Sequence, residues 1–275
     1  MIKLVLSDMD DTLLPFGRDH VSARTVAAIH ACQECGIDFG PASGRDYAEL
    51  ASFFQGDVAC YSTGVLVNGQ KVYYQGELVF QKHLDAGALC RTASLVAQRA
   101  DHLLVVYRED GFGDWVGMDR GAMGPMYDRA FIHGGTRHVT LPDYPVTKAG
   151  IMCPKDHATT VDLIAELQEL CPECDFVNTV PGWLDVVPRG WSKVKGIEVL
   201  AEKLKLATDE VCVFGDAEND LAMLAYTENS CAVGNATDAA KAAARWRVGA
   251  SADDGVAVAL EHIAHSDPIG VWARR

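Results

Sequence analysis

No stretch of the 275 residues is long and apolar enough to cross a bilayer, and the opening run Ile2–Leu6 is too short even for a signal-peptide core. Acids follow that run at once, so the expectation is a soluble, cytoplasmic protein that needs no membrane. Positive charge is also scarce: 24 Lys and Arg stand against 38 Asp and Glu, a formal net charge of −14 with a pI near 5.0. Nothing resembles a basic stripe, which argues against nucleic acid and against an anionic membrane surface as partners. Low-complexity segments and internal repeats are missing. So is GxxxxGK[ST], which excludes a nucleotide P-loop, and GFGDWVG at 111–117 misses the dinucleotide fingerprint and lacks its strand-to-helix context.

What is present is a large apolar content, 49% of residues, enough to fill the core of one large or two modest domains. Nine cysteines include two CxxC pairs, Cys32/Cys35 and Cys171/Cys174, separated by half the chain rather than placed close together as in a zinc ribbon. Cys32 and Cys35 continue an apolar helical stripe with Val26 and Ile29 and are expected in a core. Cys60, Cys90, Cys153, Cys212 and Cys231 are expected as buried thiols of a reducing compartment.

Strand and helix alternate at both ends of the chain. KLVLSD reads as a strand, Ser22 caps the helix SARTVAAIHACQEC, Gly36 closes it, and IDFGPASG is a second strand before a helix around DYAELASFF. Residues 58–80 carry hairpin signals at Asn68-Gly69 and Gln75-Gly76. Between about 82 and 186 the texture changes to loops rich in Gly and His, with the strand HLLVVYRE and a helix from Thr159. The β-α-β rhythm then returns through KGIEVLAEKLKL, EVCVFGD, NDLAMLAY, NSCAVGN and TDAAKAAARW. The expected architecture is α/β: a Rossmann-like parallel-sheet core formed by 1–81 and 187–275, split by an inserted α+β domain at 82–186.

In such a sheet, ligands gather at the carboxyl ends of the strands. There the first strand delivers Asp8 and Asp10, the second Ser43-Gly44-Arg45, and EVCVFG delivers Asp216, Asn219 and Asp220. Asp8, Asp10 and Asp216 form an oxygen-rich, sulfur-poor set suited to Mg²⁺, which would relieve the repulsion between crowded acids. Taken alone, Asp10-Asp11-Thr12 is equally a turn or a cap. Lys193, Lys195 and Arg45 supply local positive charge against the acidic background, as a phosphate site requires.

Four ordered motifs resemble those of the haloacid dehalogenase superfamily, and of its Cof-type phosphatases in particular. DMDDT is similar to DxDxT, PASGR to the hydroxyl-Gly-Arg motif, SKVKGIEVLAEKL to the lysine motif and FGDAEND to GDxxND; AVGNATDAAKAAA and DDGVAVALEHI resemble the subfamily's C-terminal end. The insertion resembles its α/β cap, type IIB, which would close over the site and read the substrate. The resemblance implies a Mg²⁺-dependent phosphatase acting on a small phosphorylated metabolite, with sugar phosphates among the candidates. Asp8 would be the nucleophile that forms an aspartyl phosphate, and Asp10 the acid and base; in a regular strand, spacing of two would put both on one face. Asp8, the Asp10 carbonyl and Asp216 would hold the metal. Ser43, Gly44, Lys193 and Asn219 would hold the phosphoryl group, supported by Thr12, Arg45 and Asp220.

The chain departs from the pattern at three places. Asp11 stands where Gly is usual and is taken as a turn residue, and Ser43 replaces the commoner Thr but keeps the hydroxyl. Lys193-Val194-Lys195-Gly196 replaces the usual Lys-Gly: counting from LAEKL selects Lys193, counting from Lys-Gly selects Lys195, and Lys193 is preferred. Alternatives are a phosphohexomutase of the same superfamily and a non-catalytic phospho-ligand sensor. In the insertion, Phe112 and Trp115 are read as a hairpin tip rather than substrate contacts, and His133 and His138 as exposed loop residues.

Overall fold

The computed structural model describes residues 1–122 and 135–275. The chain forms two compact units, Met1–Gln81 with Ser192–Arg275, and Lys82–Trp191. The second boundary thus falls after Trp191 rather than after 186. A cut at 186 would divide a strand, Trp183–Pro188, that is hydrogen-bonded along its length to its neighbours.

In chain order the strands are β1 (Leu4–Ser7), β2 (Asp38–Pro41), β3 (Gly64–Leu66), β4 (Lys71–Tyr74), β5 (Glu77–Gln81), β6 (Leu103–Tyr107), β7 (Gly113–Gly117), β8 (Arg137–His138), β9 (Ala149–Met152), β10 (Cys174–Val180), β11 (Trp183–Pro188), β12 (Val211–Gly215), β13 (Asn229–Ala232) and β14 (Trp246–Arg247). The first unit is built on a five-stranded sheet in the order β2-β1-β12-β13-β14, every pair parallel. β1 and β12 are buried at every position, so they read as unbroken apolar runs instead of alternating ones. Their register, Leu4 opposite Val211 through Ser7 opposite Phe214, brings both carboxyl ends to the same edge. Parallel strands need crossovers, and α1 (Ala23–Glu34) supplies the one from β1 to β2, while α2 (Tyr47–Phe53) follows β2. Ser22 accepts a hydrogen bond from Thr25 N at its start, and Gly36 takes a φ of +74° past its end.

Chain 58–81 forms an antiparallel sheet, β3-β4-β5. Gln75 and Gly76, both at positive φ, make the two-residue turn between β4 and β5. Asn68-Gly69 is not a plain hairpin turn: Val67–Gly69 form a short 3₁₀ turn with Val67 at φ +50° and Asn68 at φ +52°.

The second unit carries a six-stranded sheet, β10-β11-β9-β6-β7-β8, with α3 (Ala86–Val96) and the helix His157–Leu170. Leu104, Val106, Ile151, Leu163, Leu167, Leu184 and Val186 form its own core. Phe112 is exposed on the β6–β7 connection, whereas Trp115 is buried within β7. His133 lies outside the described residues; His138 is half-buried, with Nε2 3.6 Å from the Asp114 carboxylate, not exposed as expected.

All nine cysteines are free thiols. Cys35 and Cys90 are exposed, contrary to expectation, because Cys35 follows the last turn of α1 and Cys90 lies on the outer face of α3. Among the described residues, no helix is long and apolar enough to cross a membrane.

Candidate active site

β1 ends at Ser7, and the next residue places its backbone by donating from Asp8 N to Phe214 O of β12 at 2.9 Å. The Asp8 carboxylate is buried there, beside Asp216 and Asp220 from the turn that follows β12. One carboxylate oxygen from each of the three lies within 4.8 Å of the other two.

Lys193 is the buried counter-charge. It opens the helix Lys193–Leu204 directly after the cap residue Ser192, and its Nζ donates to Asp8 Oδ1 at 2.5 Å and to Asp220 Oδ1 at 2.6 Å. Lys195 points elsewhere: it is exposed and pairs with Glu198 on the same helix. The difference follows from packing. Gly69 and Gly196 meet backbone to backbone, and a Cβ on Gly196 would lie 2.9 Å from Gly69 Cα and 2.5 Å from a Val65 methyl. Glycine at 196 therefore lets the helix start press against the 67–69 turn, which sends Lys193 inward.

Gly215 has an equally specific reason. A Cβ there would sit 2.7–2.8 Å from the Asp220 side chain, so only glycine lets that carboxylate fold back over the end of β12. In this position Asp220 Oδ2 accepts from Asp216 N at 3.0 Å and Ala217 N at 3.3 Å, while Oδ1 faces Lys193. Asp216 receives a 2.6 Å hydrogen bond from the Thr12 hydroxyl. Asn219 lies half-buried on the same turn.

The electrostatics record the crowding. Burial, reinforced by repulsion from Asp220, pushes the Asp8 carboxyl well above its ordinary range despite the attraction of Lys193. Burial likewise pushes Asp216 up to about 6, opposed by the Thr12 hydrogen bond and aided by the Asp220 charge. Burial alone would lower the Lys193 ammonium, but Asp220 and Asp8 outweigh it and hold it above its ordinary value. One ammonium facing three carboxylates leaves an excess of negative charge that a divalent cation would offset.

Asp10 does not share a strand face with Asp8, which corrects the spacing expectation. The chain leaves the sheet after Ser7 and turns, with Thr12, Leu13 and Leu14 N all donating to Met9 O. Asp10 is carried to the rim, 63% exposed at its side chain, where Arg45 donates to both its oxygens at 2.6 and 3.1 Å. The Arg45 guanidinium in turn lies 4.2 Å above the Phe53 ring. Asp10 therefore contributes no carboxylate to the Asp8–Asp216–Asp220 cluster. Asp11 turns with φ +58°, its carboxylate accepting from Phe16 N.

Ser43-Gly44-Arg45 follows β2, the neighbour of β1, where Ala42 N donates to Ser7 O at 2.7 Å. Ser43 is buried, and its Oγ accepts from Arg45 N. The sequence did not reveal what secures this loop. Val67 N donates to Arg45 O and Asn68 N to Ser43 O, both at 3.0 Å, so the strained 67–68 turn clamps it by its backbone. Asn68-Gly69 was the visible signal, but it reads as an ordinary hairpin turn.

Comparison with known proteins agrees with the motif order. The family of haloacid dehalogenase-like hydrolases matches residues 5–260. The chain is 27% identical over 270 residues to the 5-amino-6-(5-phospho-D-ribitylamino)uracil phosphatase of Escherichia coli, covering 95% of this chain and 96% of that one. It is 28% identical over 246 residues to the HMP-PP phosphatase of Yersinia pseudotuberculosis, covering 86% and 85%. The solved structure of a haloacid dehalogenase subclass IIB sugar phosphatase superposes with a TM-score of 0.78 at 20% identity, covering 95% of this chain and 98% of that one, a likeness of fold. With its family matched over almost the whole length and its strand ends bearing the expected motifs, the chain belongs to the haloacid dehalogenase-like hydrolases, as an enzyme of their phosphatase type.

Proposed function

We propose that the protein is a Mg²⁺-dependent phosphomonoesterase that hydrolyses a small phosphorylated metabolite through an aspartyl phosphate on Asp8. The observation that carries this reading is Lys193, buried and donating to both Asp8 and Asp220 beside a third carboxylate. The donor set fits the metal: the clustered ligands are all hard carboxylate oxygens, and both Asp8 and Asp216 are pushed up by burial and by the Asp220 charge. Asp8, the Asp10 carbonyl and Asp216 would hold Mg²⁺, which supplies charge neutralisation for the transferring phosphoryl group.

Asp8 attacks phosphorus as the ester P–O bond breaks, and the leaving oxygen takes a proton from Asp10. The Asp10 carboxylate then removes a proton from the water that attacks the aspartyl phosphate, releasing inorganic phosphate and restoring Asp8. To serve both steps, Asp10 has to leave Arg45, which holds it at the rim between them. Ser43, Gly44 and Asn219 bind phosphoryl oxygens together with Lys193, while Asp220 fixes the ammonium and Thr12 fixes Asp216. The substrate class follows the relatives, which act on a phosphoribitylamino-uracil and on HMP-PP.

Phosphate release across a panel of phosphorylated sugars, nucleotides and cofactor precursors, with Mg²⁺ or with EDTA, tests this. Turnover is expected only with Mg²⁺, with Asp8→Asn reducing it by at least about 10³-fold. Turnover in EDTA, or an unimpaired Asp8→Asn variant, would overturn the mechanism. Isomerised sugar phosphate formed only with a bisphosphate activator would make it a mutase.

A further inference from the structure

A second cluster of ligand-type side chains lies outside the catalytic residues and has a different chemistry. His30 projects from α1, while Asp57 and Cys60 bracket the short 3₁₀ turn Val58–Cys60, closed by Cys60 N donating to Asp57 O at 3.1 Å. His30 Nε2 is 2.8 Å from Asp57 Oδ2, and one ligand atom from each of His30, Asp57 and Cys60 lies within 4.8 Å of the other two. A neighbouring hydrogen bond, from Gln33 Nε2 to Ala59 O at 2.8 Å, ties the next turn of α1 to the same segment. The elements that carry the three donors are therefore already fixed to one another.

We propose that His30, Asp57 and Cys60 bind a divalent transition-metal ion of the zinc type, with a fourth position open to the adjoining cavity. That cavity, about 470 Å³, is lined by His20, Ala23, His30, Phe54, Gln55 and Asp57 among others, and gives a water or an exogenous ligand room to complete a tetrahedron. The mixed nitrogen, oxygen and sulfur set selects against Mg²⁺, which takes oxygen ligands, and favours Zn²⁺ or Co²⁺. A thiolate and a carboxylate would neutralise the ion. Binding would displace the proton of the buried Cys60 thiol, since a metal takes the thiolate. His30 and Asp57 remain partly exposed, which leaves a route for the ion to enter. The two metal preferences of one chain would then be separated by donor type: oxygen alone at Asp8, mixed at Cys60.

Cobalt titration of the full-length protein in saturating Mg²⁺ reads this directly. One equivalent is expected to give a near-ultraviolet thiolate-to-cobalt charge-transfer band that Zn²⁺ abolishes and further Mg²⁺ does not. The band is expected to vanish in Cys60→Ala, to persist in Asp8→Asn, and to need at least about tenfold more cobalt in His30→Ala. Absence of the band in the unaltered protein, or its survival in folded Cys60→Ala, would overturn the site. Should Cys60→Ala fail to fold, an unchanged cobalt affinity in His30→Ala, altered at a partly exposed position, would overturn it equally.

Discussion

Lys193 and Lys195 stand two positions apart in the same helix and meet opposite environments, one buried between two carboxylates and one in solvent beside Glu198. Removing the Lys193 ammonium leaves Asp8 and Asp220 facing each other without it. Lys193→Ala is therefore expected to lower kcat at least about 10²-fold and to destabilise the fold by about 3 kcal/mol. Lys195→Ala should leave kcat alone and change stability by no more than about 0.5 kcal/mol. Steady-state rates and urea unfolding of both variants check this; equal losses of kcat would refute the division. From sequence the two lysines were hard to separate, because the deciding contact, Gly196 against Gly69, joins segments distant in the chain. Asp11 was easier, since strand ends turn. The structure adds why glycine suits the position: φ is +58°, a left-handed conformation costing a side-chain-bearing residue about 1 kcal/mol. Asp11→Gly relieves that cost and loses an exposed hydrogen bond to Phe16 N. Its stability is expected to stay within about 1 kcal/mol of the parent, with kcat retained; a severe loss of rate in a folded variant would give Asp11 a catalytic part.

At the scale of elements, the parallel strands were legible because burial on both faces writes them as unbroken apolar runs, and α1 because its cap and closing glycine are local signals. The turn Val67–Gly69 was not, since a β-branched residue at φ +50° contradicts every local preference and is imposed by its bonds to the 43–45 loop. The end of β1 was misjudged for a related reason: the DxD spacing looks like strand alternation, but the turn onto Met9 O begins one residue too early for it. The helix α2 (Tyr47–Phe53), which follows the same loop, depends on a single residue. Asp46 N donates to Glu49 Oε2 at 2.6 Å, Asp46 Oδ1 accepts from Tyr47 N, and Oδ2 accepts from the buried Lys71 ammonium at 2.8 Å. Asp46→Ala removes the cap and a buried ion pair together, an expected loss of about 3 kcal/mol. Asp46→Asn keeps an N-cap and should lose about half of that. Equal stability of the two variants by thermal unfolding would show that the cap contributes nothing, and an Asp46→Asn variant as stable as the parent that the Lys71 pair contributes nothing.

The whole chain nests one unit inside another, and this has a kinetic consequence. β1 pairs with β12, Leu4 opposite Val211, so the central pairing of the first unit cannot form until both ends of the chain have met. The second unit draws its sheet entirely from Leu103 to Pro188, with its own core around Leu104, Ile151 and Leu184. Motif order exposed this nesting in the sequence, because two halves of one α/β pattern flank a segment of different texture. The substrate was not legible, because no residue spacing in the sequence encodes a leaving group. Closing a short loop costs less entropy than closing a long one, and folding slows as contacts become less local. The inserted unit should therefore order first during refolding from urea. Pulsed hydrogen exchange read by mass spectrometry is expected to show amides of β6, β9 and β11 protected before those of β1, β12 and β13. Residues 82–191 expressed alone should also unfold cooperatively, because their core needs no residue from the flanking halves. Simultaneous protection of both groups, together with an unfolded isolated segment, would mean that the inserted sheet requires the parallel core before it can form.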